Sequence, residues 1–508
     1  MLELNNKLVF MKNHGLPITT TPSRLKVGVI GGGIAGSTIA LRLAEQGINV
    51  ALFEEGTSLV NGPPICHLHA GGNLYREISN EQCVTLLKQS IDSLRVFPHT
   101  VNVRPTVIAV PSHDHGEPSD LIPRLELLRN TYQQMVNENI ANKMIGEPEQ
   151  YFTLYSKEKL CNLARREIPS APATLDDWMI PVAKHIDLDK FKFPLILVQE
   201  YGWSIFRLAA SASLALEQLA SSEVFTSTKV TNLEQTGNGG WNIHYQYYDP
   251  TAQDHITQEM PVDFIVNACG YQTGTIDNYA NLQRQRLVEF KAAYVTRWPD
   301  CNAVWPEVIF HGERSTPQGM AQLTPYPDGY FQLHGMTNDI TLFKNGLVSS
   351  SKLSAQPELD TTFTEKLRHG WQKTEADMRS QRAIEHMSQF VPAYQSAMPS
   401  GEPLFGAQQI PGSDVTLRAA DISFDGNGYA RTEIVKGSSA LSAADGLIRH
   451  FVAQGWIEDS ADSNEREQQF PVALSFDELA IEEKAKALAV LRGYPTALAA
   501  TYSFPTKS

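Results

Sequence analysis

The chain has 508 residues, with 42 Lys+Arg against 56 Asp+Glu for a formal net charge of −14. That surplus of acid argues against nucleic acid or an anionic membrane surface as a partner. No apolar run approaches the roughly 18 residues that span a bilayer, and the length supports a large core in one or two closely joined domains. Met1 to Pro22 lacks a basic head followed by a continuous apolar block, so no signal peptide is expected and a cytoplasmic location is. Cys66, Cys83, Cys161, Cys269 and Cys301 lie far apart with no C-x-x-C, which fits reduced thiols and predicts neither a disulfide framework nor a metal site.

The first strong pattern is Val27 to Gly36, V-G-V-I-G-G-G-I-A-G, followed by an Ala/Leu-rich stretch. It reads as strand, glycine turn and helix, the order that a dinucleotide pyrophosphate requires. Gly31 permits the tight turn, Gly33 lets backbone approach phosphate, and Gly36 lets the helix pack on the strand. Ile34 and Ala35 open the helix, whose free N–H groups and positive dipole end face the anion. Glu54 closes the next apolar run, Asn49 to Phe53, where a carboxylate can accept from a ribose hydroxyl. A lone G-x-G-x-x-G says little; here the strand before, the helix after and the acid agree.

Asn80 to Leu163 reads as mainly helical, and Phe193 to Leu347 as strands and loops. Within the latter, a helix over Ser211 to Ser221 leads to the run Lys229 to Glu234. The Gly237-Asn238-Gly239-Gly240 turn has hairpin chemistry, and Val262 to Gly270 ends in Asn-Ala-Cys-Gly. Thr362 to Phe390 is helical and precedes another strand-rich piece. Asn427 to Arg431 then leads to Lys436-Gly437-Ser438-Ser439, where Ser438 or Ser439 caps a helix over Ala440 to Val452. The tail is charged from Ser460, then helical over Phe476 to Leu491, and reads as an appendage. A simple nicotinamide dehydrogenase completes its nucleotide fold within about 150 contiguous residues. This chain leaves that fold and returns to it.

Over Leu25 to Val452 the arrangement resembles the FAD-dependent oxidoreductases related to D-amino-acid oxidase, sarcosine oxidase and glycerol-3-phosphate dehydrogenase. The segment P-I-C-H-L-H-A-G-G, Pro64 to Gly72, is similar to the family segment lying along the flavin. The resemblance thereby assigns His67, Ala70 and Gly71 to the cofactor. It also implies backbone contacts from Val230 on the adenine side and from Ala268 and Gly270 in a "V-N-A-A-G"-like turn. Leu323 to Leu333 resembles a hairpin that walls the substrate cavity, and Gly437 to Ser439 the helix start that points at the flavin pyrimidine. The fold implied is α/β and two-lobed: a discontinuous Rossmann-type FAD lobe (24–115, 196–285 and 412–455) and a mixed-sheet substrate lobe (116–195 and 286–411). An N-terminal extension (1–23) and the tail (456–508) flank them.

Negative charge on reduced flavin favours a positive neighbour, which the helix start at Gly437 and the ammonium of Lys436 can supply. His69-Ala70-Gly71 resembles the H-A-A-G of sarcosine and dimethylglycine dehydrogenases, implying a covalent flavin link; a hydrogen-bonding or base role, or a purely structural one, stays open. The family's "G-L-R-P" arginine is missing from Phe405 to Pro411, and its "G-H-G" is replaced by Arg431 to Lys436. Arg431 and Arg286 are then the candidate carboxylate anchors. His334 is a candidate general base, or a histidine satisfied within a sheet. Tyr326, Tyr330 and Phe331 read mostly as core, and Glu200-Tyr201-Gly202-Trp203 as a turn with buried rings or a cavity wall. The resemblance implies oxidation of a C–N or C–O bond in a small polar, carboxylate-bearing metabolite, with oxygen or a quinone as acceptor. A flavin monooxygenase or NAD(P)-linked dehydrogenase would need a second glycine-rich phosphate turn, and none is found. A non-catalytic flavoprotein acting through its tail is the remaining alternative.

Overall fold

A computed structural model describes residues 25–65, 68–73, 75–458 and 463–502; the N-terminal extension, Cys66 and His67 lie outside them. Two main sheets organise these residues. The smaller has six strands, in spatial order 422–426, 429–432, 264–267, 26–30, 49–53 and 222–225. Lys26–Ile30 sits near its centre, parallel to Asn49–Phe53 on one side and Phe264–Asn267 on the other. Continuous apolar runs such as V-G-V-I suit this position, because a parallel strand is covered on both faces. The helices Ile34–Glu45, Ile205–Gln218 and Ser439–Ala453 pack together on the sheet. A second layer is the meander Thr228–Gln235, Trp241–Asp249 and Asp254–Val262, whose Val230, Trp241 and Tyr245 share a core with Phe53. The Gly-Asn-Gly-Gly segment closes a hairpin in that meander: Thr236 N donates to Gly240 O at 2.9 Å.

The larger, mixed sheet is built on the long strand Arg286–Arg297, antiparallel to Tyr330–Gly335 and to Leu404–Pro411. Its two faces differ. Ala292, Tyr294, Leu323, Phe331 and Leu333 join a core with Ile180, Ile384 and Met387 from helices outside the nucleotide lobe. Alternate residues, among them Ile108, Ala293, Val295 and Leu404, share a core with the helices of the nucleotide lobe. Strand partners present side chains to the same face. The pairings Glu289 with Gln408, Thr324 with Gln332, Gln322 with His334 and Glu307 with Thr106 therefore place a polar row on the side turned to the nucleotide lobe.

Several expectations need correcting. Asn80 to Leu163 does carry the helices Asn80–Val96, Ile122–Glu138 and Lys157–Leu163, but Thr106–Pro111 and Phe152–Tyr155 within it are strands of the larger sheet. The first of these and Phe191–Val198 belong to that sheet on both sides of the expected boundaries at 115 and 196. Their apolar runs cannot be told from buried helix by periodicity alone. Thr362 to Phe390 is two helices, Thr361–His369 and Lys373–Ser388, separated at Gly370 with φ of 80°. The tail is no appendage. Ile481, Ala485, Leu488, Leu498 and Ala499 are buried in the main core, and Arg207 bonds Glu478, Glu482 and the Ala499 carbonyl.

Candidate active site

The glycine turn has the shape its residues require. Gly31 has φ of 96°, and a Cβ there would lie 2.6 Å from the Ala268 carbonyl oxygen. A Cβ on Gly36 would meet the Gly31 carbonyl at 1.8 Å, so only glycine lets the helix start this close to the strand end. Gly33 is the opposite case, with open space within 4 Å of where its Cβ would stand. It is also the helix N-cap and makes no side-chain cap bond. The first N–H groups of Ile34, Ala35 and Gly36 thus point into a gap, as anion binding at a helix start requires. Glu54 lies beside the turn and accepts from Gly32 N at 2.7 Å and Gly56 N at 2.6 Å. Burial pushes its carboxyl above the ordinary value despite those bonds.

Ala268 and Gly270 follow the neighbouring parallel strand, Gly270 with φ of 55° and nothing within 4 Å of its missing Cβ. The closing helix begins close by, since a Cβ on Gly437 would lie 3.2 Å from Ile34 and 2.8 Å from the Trp203 ring. Ser438 occupies the N-cap position there, but neither serine caps with its side chain, contrary to expectation. Ser439 Oγ donates to Gln89 Oε1 at 2.7 Å, while Ser438 Oγ is buried without a partner. An orphaned hydroxyl and two helix starts without a side-chain cap, brought close at Ile34 and Gly437, fit a phosphate-bearing cofactor.

Residues 68–73 approach the closing helix through Tyr75, which bonds Lys436. His69 is buried with φ of 53°, its ring 6.0 Å from that of Tyr75, and Ala70 and Gly71 follow in the core. Asn73 Nδ2 donates to Glu200 Oε1 at 2.7 Å and to Tyr151 Oη at 3.1 Å, leaving its own Oδ1 unpaired. Glu200 is 2% exposed. Burial first, then nearby Glu307, pushes its carboxyl up to about 8. Lys436 donates to the Tyr75 hydroxyl and stands 4.5 Å from the centre of that ring. His334 is half-buried on the polar sheet face, its Nδ1 3.5 Å from Thr341 Oγ1.

Arg431 and Arg286 are used elsewhere. Arg431 Nε donates to Asp277 Oδ1 at 2.7 Å and its guanidinium also pairs with Asp425. Arg286 reaches the other Asp277 oxygen at 2.6 Å and Glu433 at 3.4 Å. Both are buried in one ion network, so neither is a free substrate anchor; a strand-end arginine reads alike in sequence whether it faces a cavity or an internal acid. Tyr326 and Phe331 are core, with Tyr326 Oη donating to Gln332 Oε1 at 3.1 Å. Sequence reading passed over Tyr75, Asn73 and Arg418 because each gains its surroundings from distant segments. For Glu289 and Lys291 the signal was the two-residue spacing, which puts both on one strand face.

Residues 26–149 match the sequence profile of the family described as DAO, FAD dependent oxidoreductase. No curated protein matches the chain by sequence. Among solved structures, glycerol-3-phosphate dehydrogenase from Bacillus halodurans, complexed with FAD, is similar at 14% identity and TM-score 0.53, covering 93% of this chain and 76% of that one. L-amino acid deaminase from Proteus myxofaciens is similar at 13% identity and TM-score 0.51, covering 89% and 93% respectively. Glycine oxidase from Geobacillus kaustophilus is similar at 13% identity and TM-score 0.50, covering 86% and 97%. The matched profile lies on the strand–turn–helix that builds the phosphate gap, and these structures share the fold over most of the chain.

Proposed function

We propose that the chain oxidises a C–N or C–O bond in a small polar, carboxylate-bearing metabolite and passes the electrons to oxygen or a quinone. One observation supports this reading: the polar row of the larger sheet reaches the start of the Ser439–Ala453 helix, where Gln408 Nε2 donates to the Val435 carbonyl at 2.6 Å. The gap there has a cofactor floor and a polar roof. FAD, when bound, supplies the two-electron acceptor. Gly31, Gly33, Ile34, Ala35 and Gly36 would hold its pyrophosphate, Glu54 its ribose, and Val230, Ala268 and Gly270 would lie along its adenosine half. Ala70, Gly71, Gly437, Ser438 and Ser439 would border the ring system.

The chain's own residues then have distinct tasks. Lys436 and the positive dipole end of the closing helix place positive potential at one edge of the gap. His334 can accept a proton from substrate on the roof side, and His69 can hydrogen-bond or link to the cofactor. The amino-acid and glycerophosphate enzymes that share the fold support substrates of this size and polarity. Absorbance of the purified protein, then anaerobic photometry with a panel of amines and hydroxy acids, tests the reading. Flavin colour bleached by a panel member is the expected result; coloured protein inert to every member refutes the proposed reaction.

A further inference from the structure

The chain carries 14 more acids than bases, and in such a chain surface cations readily find carboxylates. Among the described residues Arg418 and Lys436 have none at ion-pair distance. Lys436 bonds the Tyr75 hydroxyl, and the Arg418 guanidinium stands 5.0 Å from the centre of the same ring. The side-chain hydrogen bonds of Arg418 go to the Val415 and Leu417 carbonyls, which carry no charge. Its loop is fixed by Gln82, whose Oε1 accepts from Arg418 N at 2.8 Å and Ala419 N at 3.1 Å.

A third cation joins from the roof. Lys291 donates to Gln408 Oε1 at 3.2 Å, and Gln408 Nε2 donates to the Val435 carbonyl at 2.6 Å, one residue before Lys436. Lys291 shares a single carboxylate, Glu289, with Arg314. Among the described residues, four cations therefore gather around one ionised partner. The next carboxyls whose fields reach the pair lie beyond contact: Asp414 for Arg418, and for Lys436 the buried Glu200. Burial alone would raise the Tyr75 phenol, yet Lys436, Arg418 and Lys291 hold it below its ordinary value, the mark of a strongly positive site.

We propose that Arg418, Lys436 and Lys291 form a recognition site for a small dianion, a dicarboxylate or a phosphomonoester, with the Tyr75 ring as its floor. Two cations without counter-charge, partly withdrawn from water, are stabilised most by a ligand bringing two negative charges to them. A single carboxylate leaves one cation uncompensated. The site rests on the proposed oxidase reading and narrows its substrate to doubly charged acids. It also supplies the anchor absent from Phe405 to Pro411 with cations from three separate segments.

Isothermal titration of the purified holoprotein with malonate, inorganic phosphate and acetate tests this, with flavin absorbance recorded in each sample. One dianion is expected to bind at least about tenfold more tightly than acetate. Arg418→Gln and Lys291→Gln should each weaken that dianion by about tenfold, change acetate by less than about threefold, and leave flavin content unaltered. Tighter malonate identifies a dicarboxylate, tighter phosphate a phosphomonoester. Acetate binding as tightly as both dianions, no binding of either, or indifference to both substitutions overturns the proposal. Colourless protein would refute the cofactor reading instead, while the titration still reports on the cation cluster.

Discussion

The buried carboxyl of Glu200 gives a test of the site's interior that does not depend on turnover. Its folded value is pushed up to about 8 from 4.5 by burial, and among the described residues no cation forms an ion pair with it. Between those two values the folded state keeps a proton that the unfolded state has released, so stability falls as pH rises. At about 1.4 kcal/mol for each pH unit in that window, the loss approaches about 4 kcal/mol by pH 8. Water entering the site lowers that figure, which makes it an upper bound. Glu200→Gln retains an acceptor for Asn73 N and Nδ2 and cannot ionise. Glu45, likewise raised by burial to about 7, contributes a slope of the same sign in both proteins. The difference between parent and variant therefore isolates Glu200. Urea unfolding at pH 5, 6.5 and 8 should give near-equal stability at pH 5 and a growing advantage for Glu200→Gln above it. Parallel pH profiles would show that Glu200 titrates normally, and the buried-acid argument would fail.

Three further outcomes follow from the same geometry. Gly36→Ala forces a methyl to within 1.8 Å of the Gly31 carbonyl and should weaken FAD retention at least about tenfold, read from the ratio of flavin to protein absorbance; full retention would contradict the close-approach argument. Arg431→Met leaves Asp277 with Arg286 alone as a cation and should cost about 3 kcal/mol in chemical denaturation while the protein keeps its flavin. Unchanged stability would mean that the buried network contributes nothing. Lys436→Met should lower the flavin midpoint potential by about 30 mV or more, equivalent to about 1.4 kcal/mol for two electrons; an unmoved potential removes Lys436 from that role.

The glycine turn was legible from sequence because its requirements are local. Gly31 and Gly36 are fixed by backbone approach within one strand–turn–helix unit, and the hairpin over 237–240 by its own turn chemistry. Arg431 and the tail were not legible, for a common reason. Whether an arginine anchors a ligand or pairs with Asp277, or whether an amphipathic helix floats or docks on Arg207, depends on partners more than 100 residues away. Glu289 and Lys291 alternate onto one face of their strand, but the pairing with Leu404–Pro411 is what brings Gln408 beside them and Lys436 within reach. The sequence by itself determined where phosphate can rest, since φ angles and helix starts are properties of neighbouring residues. The tertiary structure decided which charges face the gap, because a field is the sum of groups that meet only when the chain closes on itself.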